Sequence, residues 1–206
     1  GARTLVLGIA NAGGKLGEDL VLDALAAMEA GLDVASGLHH RLNAEPRLIA
    51  AAARMGRQLH DVRDPRPDIP IGNGKKRAGN RLLTVGTDCS VGKMYTTLCL
   101  ASALEKRGVA ADFRATGQTG ILIAGDGVPL DAVVADFISG AIEQVSPARG
   151  DGGWDLIEGQ GSLYHPSFAG VSMGLLHGAQ PDALVLCHDP VRPHMRGLPH
   201  YRLPGI

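Results

Sequence analysis

Residues Gly86-Thr87-Asp88-Cys89-Ser90-Val91-Gly92-Lys93-Met94-Tyr95 hold two glycines with five residues between them and a lysine directly after the second. The type and spacing point to an anion cradle. A short apolar run (Leu82, Leu83, Val85) precedes the stretch and a helix-like one follows it. The chain must therefore turn sharply from strand to helix, with its amides facing inward beside the positive end of the helix dipole, an arrangement that suits phosphate oxygens. Lys93 adds a mobile point charge. Met94 stands where Ser or Thr usually follows the lysine and would place a hydroxyl on magnesium, and a thioether does not replace that ligand. The stretch is expected to hold the phosphates of a ligand and no metal; a glycine turn serving packing alone is the plainer reading.

Three further groups of residues carry chemistry. Arg114-Ala115-Thr116-Gly117-Gln118-Thr119-Gly120 leaves an apolar run at Val109 to Phe113. In a parallel sheet such an exit faces the ligand edge, which makes Arg114, Thr116, Gln118 and Thr119 candidates for substrate contacts. Asp155-Leu156-Ile157-Glu158-Gly159-Gln160-Gly161 delivers Glu158 from a buried strand into a glycine turn. There it acts as a base or caps nearby amides. His165, seven residues on, is a second acid/base candidate. Arg192, His194, Arg196 and His200 form a polar, proline-rich segment near the end, with Arg196 suited to a substrate carboxylate. Cys89, close to a helix N-terminus, is a weaker candidate, as a thiol of lowered pKa.

The elements that must position these groups alternate. Apolar runs at 4–10, 32–35, 58–62, 82–85, 109–113 and 182–187 read as strands, and amphipathic stretches at 17–30, 45–55, 95–107 and 131–145 as helices. Leu20, Leu22, Leu25 and Met28 are expected on the buried side of the first helix. Alternation of this kind implies an α/β fold with parallel sheets and crossover helices. The glycines at 8, 13 and 14 do not have dinucleotide-binding spacing. We expect a first lobe over residues 1–68, a Pro-, Gly- and Lys-rich linker over 69–80, and the phosphate-loop lobe over 81–206. The absent initiator methionine and the end at Leu203-Pro204-Gly205-Ile206 suggest a trimmed or incomplete polypeptide.

Composition excludes several function classes. A net charge of −1 supplies no basic field and 3% aromatic residues leave few stacking platforms, so nucleic acid is not an expected partner. No stretch has the length of apolar sequence that spans a membrane. Three scattered cysteines form neither a disulfide framework nor a zinc pattern, and the cytoplasm is the expected compartment.

The loop resembles the Gly-Thr-Asp-x-x-Val-Gly-Lys form of dethiobiotin synthetase and its P-loop relatives, and Ile157-Glu158-Gly159-Gln160-Gly161 is similar to their second nucleotide motif. Taken with Ala115-Thr116-Gly117-Gln118-Thr119-Gly120, the motifs resemble a bacterial family first described only as a domain of unknown function, whose characterised activity is D-glutamate N-acetyltransferase. That resemblance covers most of the chain. It implies a Rossmann-like N-terminal lobe joined to a P-loop NTPase-like parallel sheet, and acetyl transfer from acetyl-CoA to the amine of a D-amino acid. Coenzyme A phosphates would lie on the loop, Glu158 or His165 would be the base, and the partners would be a small amino-acid substrate and, in a homo-oligomer, copies of the chain itself. An ATP-dependent kinase or ligase acting on a small carboxylate is the competing reading.

Overall fold

The computed structural model describes residues 1–9, 11–195 and 198–203; Arg196 lies outside the described residues. The chain divides into two compact units, Gly1–Asp64 and Pro65–Ile206.

In the first unit, strands β1 (Thr4–Leu7), β2 (Asp33–Ser36) and β3 (Leu59–Asp61) form a parallel sheet in that order, with helices α1 (Glu18–Glu29) and α2 (Pro46–Met55) as crossovers. Pro46 opens α2 at a position where no amide is needed, and Glu45 accepts a hydrogen bond from the Arg47 amide as its cap. The core is built from Leu7, Val21, Ala24, Met28, Val34, Leu42 and Leu48. Helix α1 departs from the expected face at Leu22, while Leu20, Leu25 and Met28 pack on the core as expected. Val21, Ala24 and Met28 follow the three-and-four spacing and are buried, whereas Leu22 is 55% exposed.

The second unit carries β4 (Asn80–Gly86), α3 (Lys93–Glu105), β5 (Ala111–Arg114), α4 (Gln118–Ala124), α5 (Ile138–Val145), β6 (Trp154–Ile157), α6 (Pro166–Ala179) and β7 (Ala183–Cys187). Its sheet is parallel in the order β5-β6-β4-β7. A short antiparallel pair, β8 (His194–Met195) and β9 (Leu198–Arg202), follows. Alternation along β4 sends Leu83 and Val85 toward Ile138, Ile142 and Leu175 of α5 and α6, while Thr84 between them meets Thr97 of α3. Helices thus cover both faces, and the strands from β4 to β7 all release their chain at one edge. The helix expected over 131–145 is shorter: two single 3-10 turns, Leu130–Ala132 and Ala135–Phe137, precede α5.

At the opposite edge a buried polar network joins the strand starts. Arg81 is 1% exposed, yet its guanidinium donates to Ser146 Oγ and to the carbonyls of Arg77, Ala78, Gly79 and Pro147. The Ser146 hydroxyl donates to Asp155 Oδ2 at 2.6 Å, and Asp155 Oδ1 accepts from Arg114 and Arg149. Burying a cation is costly in itself, and removing one partner from a network satisfied this fully is strongly destabilising because it leaves the charge uncompensated.

Candidate functional site

The segments after three strands, β4, β5 and β6, converge on one cavity of about 410 Å³, lined by Cys89, Ser90, Gly92, Lys93, Met94 and Tyr95 from the loop, Gly117, Gln118 and Thr119 around the start of α4, and Glu158 to Gly161. The loop is shaped by close approach and by left-handed backbone. A side chain at Gly86 would press on Val91, on the carbonyl of Asp88 and on Lys93 Nζ, 3.0 Å away. Gly92 has φ 91° and Ser90 φ 55°, so the chain reverses twice within three residues. Among the described residues, the amides of Ser90, Gly92, Lys93 and Met94 donate to no protein acceptor. Such a set of inward amides fits an anion.

Lys93 is 6% exposed. Its ammonium donates to the carbonyls of Asp88 at 2.8 Å and Gly161 at 2.7 Å, bridging the loop to the turn after β6. Burial holds its pKa below the usual lysine range. Behind it the hydroxyl order is fixed by elimination. Thr97 Oγ1 gives its one proton to the Lys93 carbonyl (2.7 Å), so Thr84 must donate to Thr97 (2.9 Å) while itself accepting from the Gly159 amide (2.9 Å). Thr97 therefore turns away from the loop, and Met94 offers no hydroxyl. Among the described residues no group of three or more His, Cys, Asp or Glu stands together as a metal-binding set.

Glu158 is 3% exposed. Its Oε2 accepts from the amides of Thr116 (2.9 Å) and Gly117 (3.1 Å), its backbone carbonyl accepts from the Thr116 hydroxyl (2.5 Å), and Gln160 hydrogen-bonds to its side chain. Burial pushes the carboxyl above the ordinary glutamate value; the two amides, Gln160 and the Lys93 charge pull the other way and offset it only in part. A carboxylate that caps amides and a carboxylate poised as a base are here the same group.

The outer side of the loop is held by a residue to which the sequence assigns no such task. Arg192, beyond β7, donates to Asp88 Oδ2 (3.2 Å), to the Cys89 carbonyl (2.9 Å) and to the Ser90 carbonyl (3.1 Å). Nothing in the local pattern signals it, since Arg192 and Asp88 are brought together only by the pairing of β4 with β7. Thr87 is tied down as well, its amide to the Cys187 carbonyl and its hydroxyl to His188 Nδ1. The Cys89 thiol runs against expectation: burial raises its pKa, and the nearby Lys93 and Arg192 charges do not reverse this.

Not every predicted residue reaches the cavity. Gln118, Thr119 and Glu158 do, and Thr116 backs Glu158 from a fully buried position. Arg114 does not. Its guanidinium meets Asp155 at 2.8 Å and lines a separate cavity of about 380 Å³ with Arg66, Asp112 and Gln144. His165 is not among the residues lining the loop cavity. It is buried, takes the Ser162 hydroxyl oxygen as acceptor for its amide, and packs its ring edge-on to Tyr201 at 4.6 Å.

A glycine loop between strand and helix at the carboxyl edge of a parallel sheet, with a buried lysine opening the helix, defines a P-loop α/β protein. Family comparison agrees. Residues 70–206 match the P-loop domain and residues 1–65 the Rossmann-like domain of the domain of unknown function DUF1611, and the chain belongs to this family. It is 59% identical over 206 residues to a protein of Tritonibacter scottomollicae named D-glutamate N-acetyltransferase, and 54% identical to one of the same name from a Pseudoalteromonas species; all of this chain and 62% of each relative are aligned. The chain thus spans under two thirds of the length of these relatives. A crystal structure of a DUF1611 family protein from Anabaena variabilis ATCC 29413 superposes with a TM-score of 0.91 at 39% identity, over 98% of this chain and 60% of that one.

Proposed function

We propose that this chain serves an N-acetyltransferase that moves an acetyl group from acetyl-CoA to the amine of a D-amino acid, D-glutamate, with the coenzyme A phosphates on the loop from Gly86 to Tyr95. The observation that carries this reading is the identity of 59% and 54%, across the whole chain, to proteins named for that reaction. The loop supports it: open amides and a buried lysine suit any phosphate, while the absence of a hydroxyl at Met94 and the inward turn of Thr97 leave magnesium-assisted phosphoryl transfer without its usual ligand.

For the transfer, a base must take one proton from the substrate ammonium so that the nitrogen lone pair can attack the thioester carbon. The C–N bond forms, the C–S bond breaks, and the sulfur leaves with a proton released from the nitrogen. Glu158 is the proposed base, because burial raises its affinity for that proton; His165 is the alternative. Gln118 and Thr119 face the same cavity and are proposed as donors near the thioester oxygen, with Thr116 holding the Glu158 backbone in place. Arg196 is the proposed partner of a substrate carboxylate; Arg114, held by Asp155 away from the loop cavity, gives up that role. Three cysteines without disulfides fit a reducing compartment, and we place the reaction in the cytoplasm. No helix among the described residues is long and apolar enough to cross a membrane.

Thermal-shift titration with acetyl-CoA, ATP and NAD tests the ligand, and mass spectrometry of D-glutamate incubated with acetyl-CoA tests the reaction. Protection by acetyl-CoA together with an acetylated product is the expected result. Magnesium-dependent ATP turnover that disappears in Lys93→Ala would overturn it in favour of a kinase or ligase.

A further inference from the structure

Tyr95, in the first turn of α3, is 70% exposed. The chain has only 3 tyrosines and 3% aromatic residues, and it places this one at the mouth of the loop cavity. Lys93 and Thr97, one helical turn apart, are the buried residues of α3, so Tyr95 midway between them projects from the opposite, outer side. Long side chains on a helix lean toward its N-terminus. That lean carries the Tyr95 ring toward the mouth of the loop cavity, which it lines. No protein partner for its hydroxyl and no ring contact to it are present among the described residues. Met94, half-buried beside it, adds a polarizable neighbour to the same rim, and Gln118 and Thr119 make the facing wall polar.

We propose that Tyr95 is a stacking platform for the nucleobase of the ligand whose phosphates occupy the loop, so that the site takes a nucleoside diphosphate moiety and not a bare phosphate or pyrophosphate. The inference rests on the phosphate reading of the loop and extends it to the other end of the ligand. A group leaving the cradle emerges past the first turn of α3, where an exposed aromatic face over an otherwise polar rim gains little from water and much from a flat heterocycle. Rotamer cost is small, since a tyrosine ring has only two side-chain torsions to order.

Calorimetric titration of the full chain with ADP and with inorganic pyrophosphate tests this, in wild type, Tyr95→Ala, Tyr95→Phe and Lys93→Ala. Tyr95→Ala should weaken ADP about five- to a hundredfold, as base–aromatic stacking implies, and leave pyrophosphate within about twofold. Tyr95→Phe should bind both as wild type does. Lys93→Ala should weaken both ligands together. A merely structural tyrosine would alter ADP and pyrophosphate alike, and that outcome overturns the proposal, as does ADP binding that is unchanged in Tyr95→Ala. A wild type that binds pyrophosphate but gains nothing from the adenosine removes the platform and keeps the loop. Binding of ADP that Tyr95→Ala abolishes and Lys93→Ala leaves intact keeps the platform and removes the loop from phosphate recognition. Should neither ligand bind, both ideas fall.

Discussion

Lys93 and Glu158 share a cavity wall, and their opposite charges are both strained by burial. For the lysine, replacement by alanine removes one charge-assisted phosphate contact, and coenzyme A should lose about 1.5–3 kcal/mol of its protection against heat. Equal thermal shifts in wild type and variant would take Lys93 out of the site. For the carboxylate the consequence is a pH dependence. The folded protein keeps the Glu158 proton at pH values where the unfolded chain has released it, so the stability this group contributes is present at low pH and is lost as pH rises above the ordinary value of 4.5. Activity runs the other way, because the base works only once ionised, and turnover should climb through the same window. Glu158→Gln should flatten that rise and lower turnover about 10²–10⁴-fold with little change in coenzyme A affinity. A loss under about threefold across neutral pH would transfer the role to His165 or His188.

Among the elements that build the site, the turn after β6 depends on a missing side chain. A Cβ on Gly159 would overlap the Thr84 carbonyl and crowd Lys93, breaking the amide-to-hydroxyl chain that runs from Gly159 through Thr84 and Thr97 to the start of α3. Gly159→Ala should therefore cost at least about 1–3 kcal/mol in chemical denaturation and loosen ligand binding as well. Stability equal to wild type would mean that the turn relaxes freely. The same elements mark what a sequence conveys. Strands β4, β6 and β7 were legible because apolar runs end in glycine or polar turns, and so was the start of α3. Helix α6 was not, for Gly170, Gly174 and Gly178 read as breakers in water. Packed in the fold they let α5 approach, since side chains at Gly174 and Gly178 would meet Ile138 and Ser139. Arg114 misled in the complementary way. Its place at a strand exit was right, but Asp155 and Ser146, distant in sequence, draw its guanidinium toward the other edge's network.

At the scale of the molecule, the chemistry expected of it separates cleanly from that of nucleotide-hydrolysing P-loop proteins. Acetyl transfer generates no phosphoryl charge for a metal to neutralise, so activity with acetyl-CoA should survive excess EDTA, and ATP hydrolysis should be negligible with or without magnesium. Activity lost to EDTA and restored by magnesium would contradict this. Both parallel sheets follow from alternation of strand and helix, which the spacing displays openly. The clamp of Arg192 on Asp88, Cys89 and Ser90 depends on chain segments about half the molecule apart and on no local pattern.

The bridge from Lys93 to the carbonyls of Asp88 and Gly161 also bears on how binding divides between heat and disorder. A lysine side chain free in solution surrenders about 2 kcal/mol of rotational freedom when it is fixed. Here that loss falls on folding, and an arriving anion finds the ammonium already still. Its entropic penalty is smaller for that reason, and the third N–H of the ammonium, which neither carbonyl takes, remains to meet it. Affinity at this loop should then carry a smaller entropic penalty than a lysine left free in the unbound protein would impose.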